Sequence, residues 1–206
     1  MSNLFYNAAS VELLNITKSI SSNTFFADFR LCGGTALALQ VGHRVSLDAD
    51  FVSEKSFDQN EILKSVKKNF KNVTDVQSGT HGVFLKVNGI KIDFLTWNIP
   101  FIRPVVERDG ILLAHVEEII AMKLFAITQR GEKKDYMDIS SMLKYFTLKQ
   151  MLSFFNERHP ENDELGLLRY LSSYSDVEHQ PEPVMLNNLT WHDCKQHLQN
   201  AIQGFF

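Results

Sequence analysis

The chain has only two cysteines, Cys32 and Cys194, in 206 residues. That is too few for a disulfide framework and gives no metal-binding spacing, so both read as ordinary reduced residues. The histidines (His43, His81, His115, His159, His179, His192 and His197) also lack ligand spacing and read as surface or capped residues, not as bases. His43 is set apart because it adjoins the stretch described below. No apolar run approaches the ~18 residues of a membrane span, and the start MSNLFYNAASVELL has no basic region followed by an apolar block. A cytoplasmic protein with no membrane partner is expected. Nor is there an excess of basic charge: a net charge of −3 argues against indiscriminate nucleic-acid binding while leaving room for a local basic patch. What remains, 44% hydrophobic and 22% charged, is the composition of a soluble globular protein of one large or two small domains.

The most informative stretch is Gly33 to Phe51, GGTALALQVGHRVSLDADF. Phe29, Leu31 and Cys32 read as the end of a short buried strand. Gly33-Gly34 lets the backbone turn tightly and approach a ligand. Thr35 starts a helix of good formers, Ala36 to Gln40, whose free N–H groups favour an anion at the turn, and Gly42 closes it. In Leu47 to Phe51, apolar and acidic residues alternate, so a strand would put Asp48 and Asp50 on one face. Two carboxylates that close repel each other unless a cation sits between them, and magnesium suits hard oxygen ligands plus substrate phosphates. The plainer alternative is a pair of solvated strand or turn residues.

Val11 to Ile20 has the spacing of an amphipathic helix, with Val11, Leu13, Leu14, Ile16 and Ile20 as its apolar positions. A helix capped by Ser56 or Asp58 is predicted to run to about Phe70, carrying Lys64, Lys67, Lys68 and Lys71 on one face. That stripe reads first as a solvated helix side and second as a track for an RNA backbone. Strands are expected at 73–76, 82–87 and 90–96, the last two joined by the hairpin dipeptide Asn88-Gly89. Alternation in Ile90 to Phe94 makes Asp93 a candidate third carboxylate, or else an edge aspartate paired with Lys91 or Arg103.

Pro100 and Pro104 punctuate a connection, after which the pattern turns helical. The expected division is 1–110 and 111–206. Glu117 to Ile127 form one helix with Gly131 as its stop; Lys123 and Arg130, seven apart, would share a face, and Lys123 sits in an apolar run where a cation needs an anionic partner. The next helix, from Lys133, puts Asp135 beside Asp138, with an Arg130–Asp135 salt bridge as the structural alternative. Helices near 148–155 and 164–171, a Pro181-Glu182-Pro183 loop and a last helix from about Trp191 carry no evident chemistry.

Two strings, GGT with a short helix then R-x-S-x-D-x-D-F, and K-L-F-A-I-T-Q-R-G-E-K-K-D-Y-M-D, together resemble the AbiEii-like branch of the polymerase-β type nucleotidyltransferases. The resemblance spans roughly residues 29 to 145. It implies an α/β (α+β) fold: a small mixed sheet flanked by helices, followed by a C-terminal helical bundle that completes the active site. It further implies that Asp48, Asp50 and Asp93 bind metal, two Mg2+ ions with Mn2+ as a substitute. Asp93 would help activate the attacking hydroxyl. Gly33, Gly34, Thr35, Arg44 and Ser46 would lie at the nucleotide, Lys123 and Asp138 would form an essential pair, Arg130 would contact phosphate and Asp135 would order the network. The implied activity is transfer of a nucleoside monophosphate from a nucleoside triphosphate, with many relatives acting as toxins, some on tRNA, beside a cognate antitoxin. The alternatives are transfer to a small molecule of the antibiotic type and a non-catalytic nucleotide-binding module.

Overall fold

The computed structural model describes residues 3–205. The Ser10 hydroxyl accepts the Leu13 N–H at 3.1 Å and starts α1 (Val11–Ser21). Leu13, Leu14, Ile16 and Ile20 are buried there, but Val11 is 75% exposed. As the first helical residue it lies outside the packed stripe. The chain continues through β1 (Arg30–Cys32), α2 (Gly33–Val41), β2 (Ala49–Ser53) and α3 (Gln59–Asn69), which Asp58 caps. The antiparallel strands β3 (Val73–Gly79), β4 (Gly82–Val87) and β5 (Ile90–Thr96) follow, with Asn88 and Gly89 both at positive φ in the tight turn. Beyond them lie β6 (Val106–Arg108) and β7 (Ile111–Leu113), inside a stretch expected to be only a connection. Three-residue strands are too short to show a period. The Asp109-Gly110 turn between them, at φ +52° and +75°, is the one signal they leave.

The second half is helical: α4 (Val116–Gln129), α5 (Lys133–Met142), α6 (Leu148–Arg158), α7 (Glu164–Leu171) and α8 (Trp191–Gln203). Its starts are well capped. His115 accepts the Glu117 N–H, and Thr147–Gln150 and Thr190–Asp193 form reciprocal capping boxes.

All seven strands form one mixed sheet in the order β3-β4-β5-β2-β1-β7-β6. β2 runs antiparallel to β1 and parallel to β5, with Cys32 opposite Asp50, Asp50 opposite Asp93 and Phe51 opposite Phe94. The last pair sets the register. Phe51 stacks on Phe94 with centroids 5.6 Å apart, and Phe94 stacks on Phe26 at 5.2 Å, all three fully buried. A slip of one residue would expose these rings, so the aromatic stack also holds the two aspartates side by side. Among the described residues, no helix is long and apolar enough to cross a membrane. Lys64, Lys67 and Lys68 are exposed on α3, with Lys64 3.6 Å from Glu61, but the helix ends at Asn69 and leaves Lys71 outside the expected stripe.

Candidate active site

α2 begins at Gly33 itself, two residues earlier than Thr35, and no side chain among the described residues caps it: Cys32 holds the cap position without a side-chain hydrogen bond. Its first N–H groups are therefore open to a ligand. Both glycines are in close contact with a neighbouring side chain. A Cβ on Gly33, which has φ +64°, would lie 2.2 Å from Asp50 Oδ2, and one on Gly34 would lie 2.0 Å from Arg44 Nη2. The helix start thus touches a carboxylate on one side and a guanidinium on the other. Gly33→Ala is expected to push the Asp50 carboxylate aside and lower turnover by about 100-fold, while the left-handed backbone costs about 1–2 kcal/mol. Steady-state kinetics and thermal melting of the variant check both numbers.

The Thr35 hydroxyl is engaged, since it donates to the Asp48 carbonyl and lies 2.8 Å from Ser46 Oγ. Thr35 and Ser46 are buried and tie the loop after α2 to the first turn of the helix. The loop is also held from outside by the segment following the Pro181–Pro183 loop: Val45 N–H donates to the Val184 carbonyl at 2.8 Å and Leu186 N–H to the His43 carbonyl at 2.8 Å. This support by the C-terminal half left no mark in the sequence pattern.

Asp48, just before β2, and Asp50, in it, are both half-buried, and Asp93 is buried in β5. Asp93 is therefore interior to the sheet, not on an edge. Its Oδ2 is 2.7 Å from Lys91 Nζ, and its buried Oδ1 has no partner among the described residues. Burial, then the charges of Asp48 and Asp93, push the Asp50 pKa up to about 6. Burial also raises that of Asp93 against the pull of Lys91. Three carboxylates are thus brought within electrostatic reach of one another, which is the arrangement a cation would relieve. Among the described residues, no three His, Cys, Asp or Glu side chains are grouped closely enough to hold a metal ion as they stand.

Behind the carboxylates lies a buried network. Asp138, fully inaccessible, accepts from Arg44 Nε at 2.6 Å and Nη2 at 3.1 Å, is 2.7 Å from His43 Nε2 and receives Lys123 Nζ at 2.9 Å. Lys123 Nζ also donates to Asp135 Oδ1 at 2.6 Å. Burial alone would raise the Asp138 pKa, but Lys123, Arg44 and His43 hold it well below the usual carboxylate range. Lys123 is held charged by the two aspartates against the cost of its burial, and its charge reaches Asp50. The anionic partner that Lys123 required is therefore present twice.

Arg130 departs from expectation. α4 ends at Gln129, and Arg130, with φ −133° and ψ −29°, leaves the helix just ahead of Gly131 at φ +45°. It does not continue the Lys123 face and does not pair with Asp135; it is 62% exposed and 3.2 Å from Glu132 Oε1. Asp135 instead closes a capping box with Glu132 and binds Lys123. Two further groups differ from the sequence reading. His159 is buried against Phe125 at 4.4 Å, with its pKa lowered to about 4 by burial and by Arg158. Arg158 forms a fully buried ion pair with Glu118, 40 residues away.

Acidic side chains on adjacent strands of a mixed sheet thus stand beside the open N-terminus of a helix, on a nucleotidyltransferase fold. Solved structures agree on the fold. MenT4, a nucleotidyltransferase toxin from Mycobacterium tuberculosis, superposes with a TM-score of 0.60 at 13% identity, covering 92% of this chain and 80% of its own. A Helicobacter pylori protein assigned as a nucleotidyltransferase gives 0.59 at 20% identity over 94% of each chain. The chain belongs to the nucleotidyl transferase AbiEii toxin family of type IV toxin–antitoxin systems, whose model matches residues 16–203. A relative from Aquifex aeolicus, an uncharacterised protein, is 33% identical over 159 residues, 74% of this chain and 77% of that one.

Proposed function

We propose that this protein is a metal-dependent nucleotidyltransferase that moves a nucleoside monophosphate from a nucleoside triphosphate to an acceptor hydroxyl, as the toxin of a toxin–antitoxin pair acting on tRNA. The observation that carries the reading is the contact between the uncapped start of α2 and Asp50, with Asp93 directly across from Asp50. A triphosphate on the open N–H groups of Gly33 to Thr35 would bring its α-phosphorus to the carboxylates. Asp48, Asp50 and Asp93 fit a hard divalent cation such as Mg2+ in donor chemistry, and the partnerless Asp93 Oδ1 and the raised Asp50 pKa are the strains it would relieve. Such ions would supply charge neutralisation at the α-phosphate and a more acidic acceptor hydroxyl.

The chain's own groups do the rest. The acceptor oxygen forms a bond to the α-phosphorus, the bond to the β-phosphate oxygen breaks, pyrophosphate leaves, and Asp93 takes the hydroxyl proton, a role suited to its raised proton affinity. Arg44, fixed beside Gly34, and Lys123 offset charge growing on the phosphoryl oxygens. Arg130, exposed at the end of α4, would exchange its Glu132 partner for a phosphate.

Purified protein with Mg2+, each labelled nucleoside triphosphate in turn and total tRNA is expected to place label on RNA, and the Asp48→Ala, Asp50→Ala double variant to place none. Label on neither RNA nor a panel of hydroxylated small molecules would sink the enzyme reading. One observation favours a second reading, a non-catalytic nucleotide-binding module: Lys91 Nζ already occupies Asp93 Oδ2 at 2.7 Å. In that case Asp93→Ala leaves nucleotide affinity intact and there is no turnover to lose.

A further inference from the structure

β5 carries its own cation into the carboxylate cluster. In Ile90 to Phe94, strand alternation puts Ile92 and Phe94 on the core face and Lys91 with Asp93 on the other. Parallel pairing sets Ala49 beside Ile92 and Asp50 beside Asp93, and the same register continued by one residue sets Asp48 beside Lys91. The Lys91 ammonium lies 2.7 Å from Asp93 Oδ2, and among the described residues no other cation forms an ion pair with any of these three aspartates. Against the cost of partial burial, the contact with Asp93 and then the charges of Asp93, Asp50 and Asp48 raise the Lys91 pKa, so the whole cluster acts on this one side chain.

The two ends of the ion pair differ in freedom. The Asp93 side chain is 6% exposed and fixed within the sheet, whereas that of Lys91 is 55% exposed on a flexible stem. An ammonium so placed returns to water at little cost. Lys123, the other cation whose charge reaches Asp50, lacks this freedom, because it is buried and held by Asp135 and Asp138. Nor do the carboxylates converge while Lys91 holds Asp93: among the described residues no three acidic, His or Cys side chains stand close enough to hold a metal ion. The observed contact is thus a charge-balanced resting arrangement with one partner able to leave.

We propose that Lys91 is a displaceable counter-ion of the carboxylate cluster: it holds Asp93 in the metal-free protein, turns out to solvent when a divalent cation binds, and so sets the cation affinity of the site. This rests on the metal-dependent transferase reading, but it is tested without turnover. The probe is Mn2+ alone, titrated into full-length protein at pH 8 without nucleotide and followed by loss of the free-ion paramagnetic resonance signal. Lys91→Met is expected to bind Mn2+ about tenfold more tightly than the parent, and Lys91→Arg, which keeps the charge, to stay within about threefold of it. Lys86→Met is the control. Lys86 pairs with Lys91 across the β4–β5 ladder but places its ammonium 2.7 Å from Asp75, so its loss removes the same charge nearby and should change Mn2+ affinity by less than about twofold. Adding Asp93→Ala to Lys91→Met should erase the gain. Without divalent cations, Lys91→Met should also melt about 2–4 °C below the parent, and saturating Mn2+ should raise its melting temperature by more than it raises the parent's. Lys91→Gln carries the test if Lys91→Met misfolds. Equal or weaker Mn2+ binding by the folded Lys91 variants overturns the proposal, as do an equal gain in Lys86→Met, a gain that survives loss of Asp93, and Mn2+ binding by neither parent nor variant. Label transfer to an acceptor with Mn2+ affinity indifferent to Lys91 would refute this proposal alone. The expected Mn2+ pattern without transfer to any acceptor would leave it standing and refute the transferase reading.

Discussion

Asp50→Asn is expected to abolish turnover and, in the same protein, to raise the melting temperature. The two effects have one cause. Asp50 is held against Gly33, beside Asp48 and across from Asp93, so its charged form is costly and its pKa rises to about 6 from an ordinary 3.8. Below pH 3.8 the carboxyl is protonated in both folded and unfolded chains and contributes no difference. Between pH 3.8 and 6 the unfolded chain releases the proton first, so the folded state loses stability as pH rises, and above pH 6 the full penalty is present. A shift of about 2 pH units corresponds to about 3 kcal/mol, a ceiling because Asp50 keeps some access to solvent. The isosteric amide removes the charge and leaves the shape. At pH 8 and without divalent cations, the variant should melt about 3–8 °C above the parent, and the gap should close near pH 4. Turnover should fall by at least about 1,000-fold, since a carboxylate aimed at developing charge is lost. The parent's own activity should also decline as pH drops through 6. A variant that melts below the parent at pH 8 would show that the carboxylate is stabilising and the electrostatic account mistaken.

Much of this cluster could be read from the sequence because it is local. The glycine turn, the helix after it and the D-x-D alternation lie within 19 residues, and the Asn88-Gly89 hairpin puts Asp93 on a strand. What no local pattern supplies is the parallel pairing of β2 with β5, a contact between segments 43 residues apart that brings Asp93 opposite Asp50. The same limit hid the supports. Asp138 was legible as half of a D-x-x-D pair, but its contacts with His43 and Arg44 span about 95 positions, and Glu118 with Arg158 spans 40. Arg130 failed for a local reason. Counting seven residues from Lys123 assumed an unbroken helix, whereas Gly131 in the left-handed region ends it one residue before Arg130. The Asp109-Gly110 turn was readable by the rule that found Asn88-Gly89, though its flanking strands have only three residues each.

Asp138→Ala should be the most destabilising single change in the site, costing about 4 kcal/mol or more. Three buried groups lose their shared partner: the Arg44 guanidinium its carboxylate, keeping only the Val45 carbonyl and Ser46 hydroxyl, the His43 ring its Nε2 contact, and Lys123 one of its two. The cost of an unpaired buried charge exceeds the net value of the pair it came from. Against a typical stability of 5–15 kcal/mol for a whole domain, this accounts for a large share. The network also crosses the molecule, with His43 and Arg44 from the loop after α2, Lys123 from α4 and both aspartates from α5. Its loss should therefore loosen the join between sheet and helices as well as the site. Charge balance supplies the decisive test. Asp135 and Asp138 face Lys123 and Arg44, two charges against two, so removing one of each sign restores neutrality. The Lys123→Met, Asp138→Asn double variant should be less destabilised than the sum of its single variants by about 1–3 kcal/mol in denaturant titrations, yet remain inactive because the cation beside Asp50 is gone. Additive losses would mean that Lys123 and Asp138 act independently. Recovery of activity together with stability would mean that Lys123 serves the fold alone and that charge at the phosphoryl group is met elsewhere, with Arg44 the remaining buried cation beside the glycine turn.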